Sequence, residues 1–243
     1  ANKHADAMDN FPCVTCLPRE ESDRGSAEIL SQILPVIFER NGFEKIYSDA
    51  WWYKLKAGTA VYGIFWNPLK SNGLGDIEIK QVDILNLFWE PGIKDIQKSK
   101  NIFHVELIDN ETLVAMYPEM SGKLGNSTVE IAKYVYDDNV DTKDKSAVVD
   151  RYYKKIVNGV EIVHYCKFCN GELLYASEND PEYSQRGFYD HGKYPFVFDT
   201  LFVEEGTPCG FGYIDIMKDA QKQIDVLSNS LVKNAAMATT PRY

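Results

Sequence analysis

The chain has 243 residues, 44% apolar and 13% aromatic, enough to bury a folded core as one large domain or two small ones. Its 36 acidic residues outnumber 26 basic ones and give a net charge of -10, which excludes a broad basic face that grips nucleic acid nonspecifically. Because no apolar run approaches the roughly 20 residues of a membrane-spanning helix, we expect no membrane partner.

The amino-terminal quarter predicts helices joined by an extended segment. A short helix end leads into extended chain that holds Cys13 and Cys16. We predict a helix that Ser22 caps and that Asn41-Gly42 ends, because apolar residues recur on one face between them. A second helix is expected over residues 44–56.

After Gly58 the hydrophobic period changes from helical spacing to two, which predicts strands. Residues 61–66 and 77–82 form a hairpin around the glycine-rich turn at 72–76. This turn is not a phosphate-binding loop, because no Lys-Ser or Lys-Thr follows it and the next element is a strand. A further strand is expected over residues 101–108.

The middle of the chain predicts a charged loop and then a three-stranded meander. Residues 119–144 are rich in Gly, Ser, Asn, Asp and Lys, as solvated loops are. Strands over 148–157, 160–168 and 173–177 are separated by two Asn-Gly pairs, which favour the type I′ turns of antiparallel hairpins.

The carboxy-terminal stretch predicts one long helix over residues 213–238, stopped by Pro241. One apolar stripe at gaps of three and four runs along it: Tyr213, Met217, Ala220, Ile224, Leu227, Leu231, Ala235 and Ala238. At ~1.5 Å per residue the helix would be roughly 39 Å long, more than a small domain spans. It is either an ordinary core helix or one shared between domains or subunits.

Four of the five cysteines form two Cys-x-x-Cys pairs, Cys13 with Cys16 and Cys166 with Cys169. Two such pairs can supply four thiolates to one structural zinc ion. The alternative is that the pairs do not meet and are packed free thiols. No nucleophile elbow is present, and the four histidines show no metalloprotease or triad spacing, so we predict that the chain is not an enzyme.

Several longer runs resemble the portal proteins of phages that are carried as prophages in Gram-positive bacteria. They cover nearly the whole chain in order: HADAMDN at 4–10, SDAWWYKLKAGTAVYGIFWNP at 48–68, GLGDI at 73–77, DILNLFWEPGIKDIQKSKNIFH at 83–104, YDHGKYPFVFD at 189–199 and GTPCGFGYIDIMKDAQKQID at 206–225. The cysteine pairs depart from that family's pattern, so the resemblance gives the zinc site no support.

The resemblance implies an α+β wing-like domain of antiparallel hairpins and packed helices over residues 1–212. Residues 213–243 would be a long helix that leads toward a central channel, with the stem, clip and crown regions mostly absent from this fragment. The stripe is expected to pack on the wing. The opposite side should contact a neighbouring subunit or face the channel: Lys218, Gln221, Lys222, Asp225, Ser228 and Lys233.

The resemblance also implies partners and a location. The chain would form a ring of about twelve copies at the capsid vertex, assembled in the host cytoplasm, and bind the terminase large subunit and the capsid and connector proteins. DNA would pass through the channel without sequence-specific binding, and no cofactor would be required. The rival prediction is an intracellular adaptor or regulatory domain built on a zinc ion held by Cys13, Cys16, Cys166 and Cys169.

Overall fold

A computed structural model describes residues 2–124 and 144–239 of the protein. The chain forms two compact units. The helical unit comprises Ala1–Ala60, Asp199–Glu204 and Cys209–Tyr243, and the sheet unit comprises Val61–Phe198 and Glu205–Pro208. Most of the predicted charged loop, and Pro241, lie outside the described residues.

Within the described residues there are six helices and ten strands. The helices are α1 (Asn2–Asp9), α2 (Arg24–Arg40), α3 (Phe43–Ala57), α4 (Lys70–Gly73), α5 (Asn110–Met116) and α6 (Tyr213–Thr239). The strands are β1 (Thr59–Asn67), β2 (Asp76–Val82), β3 (Leu87–Trp89), β4 (Asn101–Asp109), β5 (Lys145–Val157), β6 (Val160–Cys169), β7 (Glu172–Ala176), β8 (Phe196–Thr200), β9 (Phe202–Val203) and β10 (Gly210–Phe211).

The strands form a five-stranded sheet in the order β3-β4-β5-β6-β7, a three-stranded sheet β2-β1-β8 and a short β9-β10 pair. Neighbours in the five-stranded sheet are antiparallel, as are β1 with β2 and β9 with β10. The predicted α+β class with antiparallel hairpins and a long last helix is therefore confirmed.

The sheet unit has its main core where side chains of both larger sheets pack together. Its buried members are Val61, Val82, Leu87, Ile96, Ile102, Tyr152, Val163, Tyr194 and Phe196. Alternation along the strands puts the strand residues of this core on one face of each strand, and Ile96 and Tyr194 join them from the connecting segments. A second, smaller cluster is formed by Leu113, Met120, Val148 and Cys169.

Aromatic contacts and an ion pair between a buried lysine and a half-buried aspartate stabilise the described part of the helical unit. Phe11 meets the rings of Phe43 and Tyr47 edge-on, with centroids 5.9 and 5.3 Å away. Lys54 is 5% exposed, and its Nζ lies 2.8 Å from Asp199 Oδ2. A buried ammonium group is stable only when it is paired in this way.

The predicted cap of the helix that ends at Asn41-Gly42 was wrong. Ser22 does not cap it: a 3-10 turn over Glu21–Asp23 precedes α2, and Ser22 Oγ donates weakly to the Asp23 carboxylate at 3.4 Å. Leu30 and Ile33, two of the apolar residues on the predicted face, are 49% and 45% exposed. The apolar period is real, but the part of the chain that the structure describes leaves much of that face uncovered.

The predicted boundary between residues 1–212 and 213–243 stays a prediction. The two compact units are groups of residues that pack together, and α6 belongs to the same unit as residues 1–60. This division does not test a boundary at residue 212. None of the described helices combines the length and the apolar content that crossing a membrane would need.

Candidate assembly interface

The start of α6 is anchored within the helical unit. The rings of Tyr213 and Phe202 meet edge-on with centroids 5.5 Å apart, and Lys3 Nζ lies 5.1 Å from the centre of the Tyr213 ring. Hydrogen bonding with Tyr213 raises the pKa of Lys3. The backbone N–H of Gly212 donates to Asp215 Oδ2 at 3.0 Å, so a first-turn side chain satisfies a group at the helix start.

Close backbone contacts fix the direction in which α6 leaves this anchor. Gly58, the left-handed residue after α3, accepts a hydrogen bond from Leu201 N at 2.8 Å. A Cβ atom on Gly212 would lie 2.3 Å from the carbonyl oxygen of Lys56. The end of α3 and the beginning of α6 can therefore approach each other only because glycine stands at the contact.

Beyond Tyr213 the helix is uncovered: every residue from 214 to 238 is exposed. The predicted stripe is among them, with Met217 55%, Ile224 59%, Leu227 65% and Leu231 69% exposed. The expectation that the stripe packs on the wing-like part of this chain was wrong. Only the start of α6 finds a partner surface in the described residues, because at ~1.5 Å per residue the helix extends about 40 Å.

Apolar side chains also occupy the other sides of α6. At 3.6 residues per turn, Ile214 and Val232 lie on the same side as the predicted polar residues, and Val226 and Met237 lie on a third side. All four are between 52% and 65% exposed. The stripe alone did not reveal them, although a count of apolar residues around the helix would have done so.

The six predicted assembly residues are all exposed: Lys218, Gln221, Lys222, Asp225, Ser228 and Lys233. Three of them take part in contacts along the helix, since Gln221 Nε2 donates to Asp225 Oδ1 at 2.9 Å and Lys222 Nζ lies 3.7 Å from Asp219 Oδ1. The helix carries three aspartates and three lysines. Its surface is thus electrically balanced as well as apolar, a composition suited to contact with protein.

The four predicted zinc ligands lie in different units. Cys13, which is exposed, and Cys16, which is half-buried, belong to the helical unit, and Cys166 and Cys169 belong to the sheet unit. Cys166 and Cys169 pair with Arg151 and Val148 of β5 without interruption, so their odd spacing places them on opposite faces of β6. Burial raises the pKa of both thiols, which disfavours the thiolate form that zinc binds.

A comparison with known protein families gives a match over almost the entire chain. The model of the phage P22-like portal protein family matches residues 6–242, which include every described element except the first residues of α1. The chain belongs to the P22-like portal protein family. No curated protein matches it. The resemblance stated from the sequence is therefore confirmed, and the exposed α6 is a segment of a portal protein.

Proposed function

We propose that the chain is a structural subunit of a phage portal ring at the capsid vertex. The ring would be the conduit for DNA packaging and ejection, and the platform on which the terminase and the head-tail connector dock. Family membership over residues 6–242 carries the proposal. Its role is assembly and passage of DNA, without chemistry of its own.

The exposed apolar side chains of α6 support assembly into a ring. Nine large ones are exposed along the described residues of this helix: Ile214, Ile216, Met217, Ile224, Val226, Leu227, Leu231, Val232 and Met237. A helix that is apolar on several sides is stable in water only when it is covered on those sides. Neighbouring copies in a closed ring supply two such covers for each helix.

The acidic charge of the chain supports a conduit that does not hold DNA. A net charge of -10 repels phosphates at long range, and the balanced charges of α6 add no basic track along which DNA would adhere. The virion vertex as the final location, and the host cytoplasm during assembly, belong to the same proposal.

The zinc-dependent adaptor is the second candidate from the sequence. A portal match over nearly the full chain gives it no support, and the opposite facing of Cys166 and Cys169 does not favour a shared ion. A portal subunit could also contain a structural zinc ion, and the family match does not test its presence.

Electron microscopy of the protein expressed from its complete gene tests the proposal. We expect annular particles from the wild type and from Gln32→Glu, a charge change at an exposed position of α2. Leu227→Glu on the stripe should abolish rings, because each interface would bury an unpaired carboxylate. Lys222→Glu on the predicted polar side should reduce ring yield less severely.

Folding of each variant is checked by thermal unfolding, where changes at exposed positions should stay within about 0.5 kcal/mol. Monomers of the wild type under all conditions would contradict the ring. Rings formed equally well by Leu227→Glu would show that α6 is not an interface, and a loss of more than ~2 kcal/mol in Lys222→Glu would make that residue a support of the fold.

A further inference from the structure

A cluster of polar side chains in the sheet unit has no part in the proposed portal role. His104 and Glu106 are two apart on β4 and so share one face, and the β4–β5 register sets Asp150 opposite His104. One candidate ligand atom from each of the three lies within 4.8 Å of the others. This group was not predicted from the sequence, because Asp150 reaches it only through the pairing of β5 with β4.

The cluster borders a polar cavity of about 230 Å³, whose lining includes Lys80, Asn86, His104 and Glu106. Asn86 is only 7% exposed, and its Oδ1 accepts no hydrogen bond from the described residues. An unpaired buried carbonyl oxygen is costly, by about 1–3 kcal/mol. The cavity is thus lined by polar side chains, and one of them keeps a buried oxygen without a hydrogen-bond donor in the described residues.

The two carboxylates lie at opposite nitrogens of the His104 ring. Glu106 Oε1 is 3.5 Å from Nε2, on the cavity side, and Asp150 Oδ2 is 3.7 Å from Nδ1. Tyr165 donates its hydroxyl hydrogen to Asp150 Oδ1 at 2.6 Å, and Lys167 Nζ lies 3.0 Å from the same oxygen. Asp150 Oδ2 is therefore the carboxylate oxygen that faces Nδ1, and Nε2 is the ring nitrogen that faces Glu106.

We propose that His104 Nε2 and Glu106 bind a divalent transition-metal cation, with Asp150 as the carboxylate that orients His104. Ligand atoms on one ion with bonds of ~2.1 Å lie about 3.0–3.4 Å apart, close to the 3.5 Å between Nε2 and Oε1. A mixed nitrogen and oxygen donor set suits Mn²⁺ or Zn²⁺, and a histidine that binds a metal commonly has its other ring nitrogen next to a carboxylate.

The ammonium group of Lys80 lies next to Glu106, where the metal cation would bind. Lys80 Nζ lies 2.7 Å from Glu106 Oε1, the same oxygen that faces His104. The lysine side chain is 40% exposed, so it can swing into solvent when an ion enters. Binding is then a competition between Lys80 and the metal for Glu106, and the removal of Lys80 should strengthen it.

Manganese titration followed by electron paramagnetic resonance tests the site, because Mn²⁺ prefers oxygen and nitrogen ligands and avoids cysteine thiolates. We expect one ion per chain with magnetic coupling to an imidazole nitrogen. Glu106→Gln and His104→Gln should lose this signal. Asp150→Asn should weaken binding about tenfold or more. Lys80→Gln should tighten it by about threefold to tenfold.

Glu182→Gln and His191→Gln, both at exposed positions, are the matched controls and should bind as the wild type does. Circular dichroism shows whether each variant is folded. If the variant of the buried His104 does not fold, Glu106→Gln tests the site alone, because Glu106 is 36% exposed and its replacement should leave the fold intact. Absence of imidazole coupling in the wild type, unchanged affinity in Glu106→Gln or weaker binding in Lys80→Gln would each overturn the site.

Discussion

His164 on β6 is a fully buried histidine that makes only one polar contact in the described part of the chain. Its Nδ1 lies 3.0 Å from Ser177 Oγ, while Nε2 has no hydrogen-bond partner there. Burial lowers the pKa of His164, Glu178 acts in the opposite direction, and Lys155 adds to the lowering. The ring of Tyr153 packs beside it. The folded state therefore holds this imidazole neutral.

We predict that His164 makes the protein less stable in weak acid. Because its folded pKa lies below the unfolded value of about 6.5, the unfolded chain takes up the proton first. The contribution of the neutral His164 to the free energy of unfolding is fully present above pH ~6.5. It falls as the pH decreases toward the folded pKa, by up to about 1.4 kcal/mol per pH unit. Denaturant unfolding of the wild type and of His164→Gln between pH 8 and 5 measures this.

The variant should show a flatter dependence on pH than the wild type, whereas His191→Gln, at an exposed position, should keep the wild-type slope. Identical slopes in all three proteins would mean that His164 is protonated inside the fold and would remove the basis of the prediction.

At the scale of elements, the sequence predicted those turns and helices whose formation depends on residues close together in the chain. The two Asn-Gly turns have the positive φ values that type I′ requires, 52° and 81° at Asn158-Gly159 and 50° and 84° at Asn170-Gly171. The strand β8 was not predicted, because it is formed by pairing with β1, more than a hundred residues earlier in the chain. Periodicity found α6 and its stripe but could not tell what covers it.

The junction between α3 and α6 leads to a prediction about glycine. Gly58 has φ +88°, and a Cβ there would lie 2.3 Å from the carbonyl carbon of Phe211. Backbone atoms cannot turn aside as a flexible side chain can, so Gly58→Ala should cost more than about 2 kcal/mol of unfolding free energy. Hydrogen exchange should also become faster in the first turn of α6, which depends on this contact.

Gly42→Ala is the matched control, since Gly42 also has a left-handed φ of +59° but open space around its Cα. It should cost only the backbone strain, about 1–2 kcal/mol. If both variants lose the same stability, the close approach at Gly58 contributes nothing and the start of α6 is held by its side chains alone.

At the scale of the whole molecule, sequence motifs identified the family more readily than they identified sites. The portal likeness rests on long runs that do not depend on geometry, and the match over residues 6–242 confirmed it. A metal site depends on which atoms face each other. Spacing alone made Cys166 and Cys169 look like a chelating pair, yet strand alternation turns them to opposite faces.

The zinc site built on Cys13, Cys16, Cys166 and Cys169 stays a prediction that elemental analysis can decide. If one zinc ion is bound, protein purified without added metal should contain one zinc per chain, and chelation should loosen residues 1–20 while the rest stays folded. With four thiolates around the ion no position would be open, so the zinc could only be structural. The register of β6 favours the other outcome, in which zinc is well below one per chain and chelation changes nothing. Cys13→Ser and the control Cys209→Ser separate the two: a zinc content lowered by the first variant alone would establish the site, and equal contents near zero would leave packed free thiols.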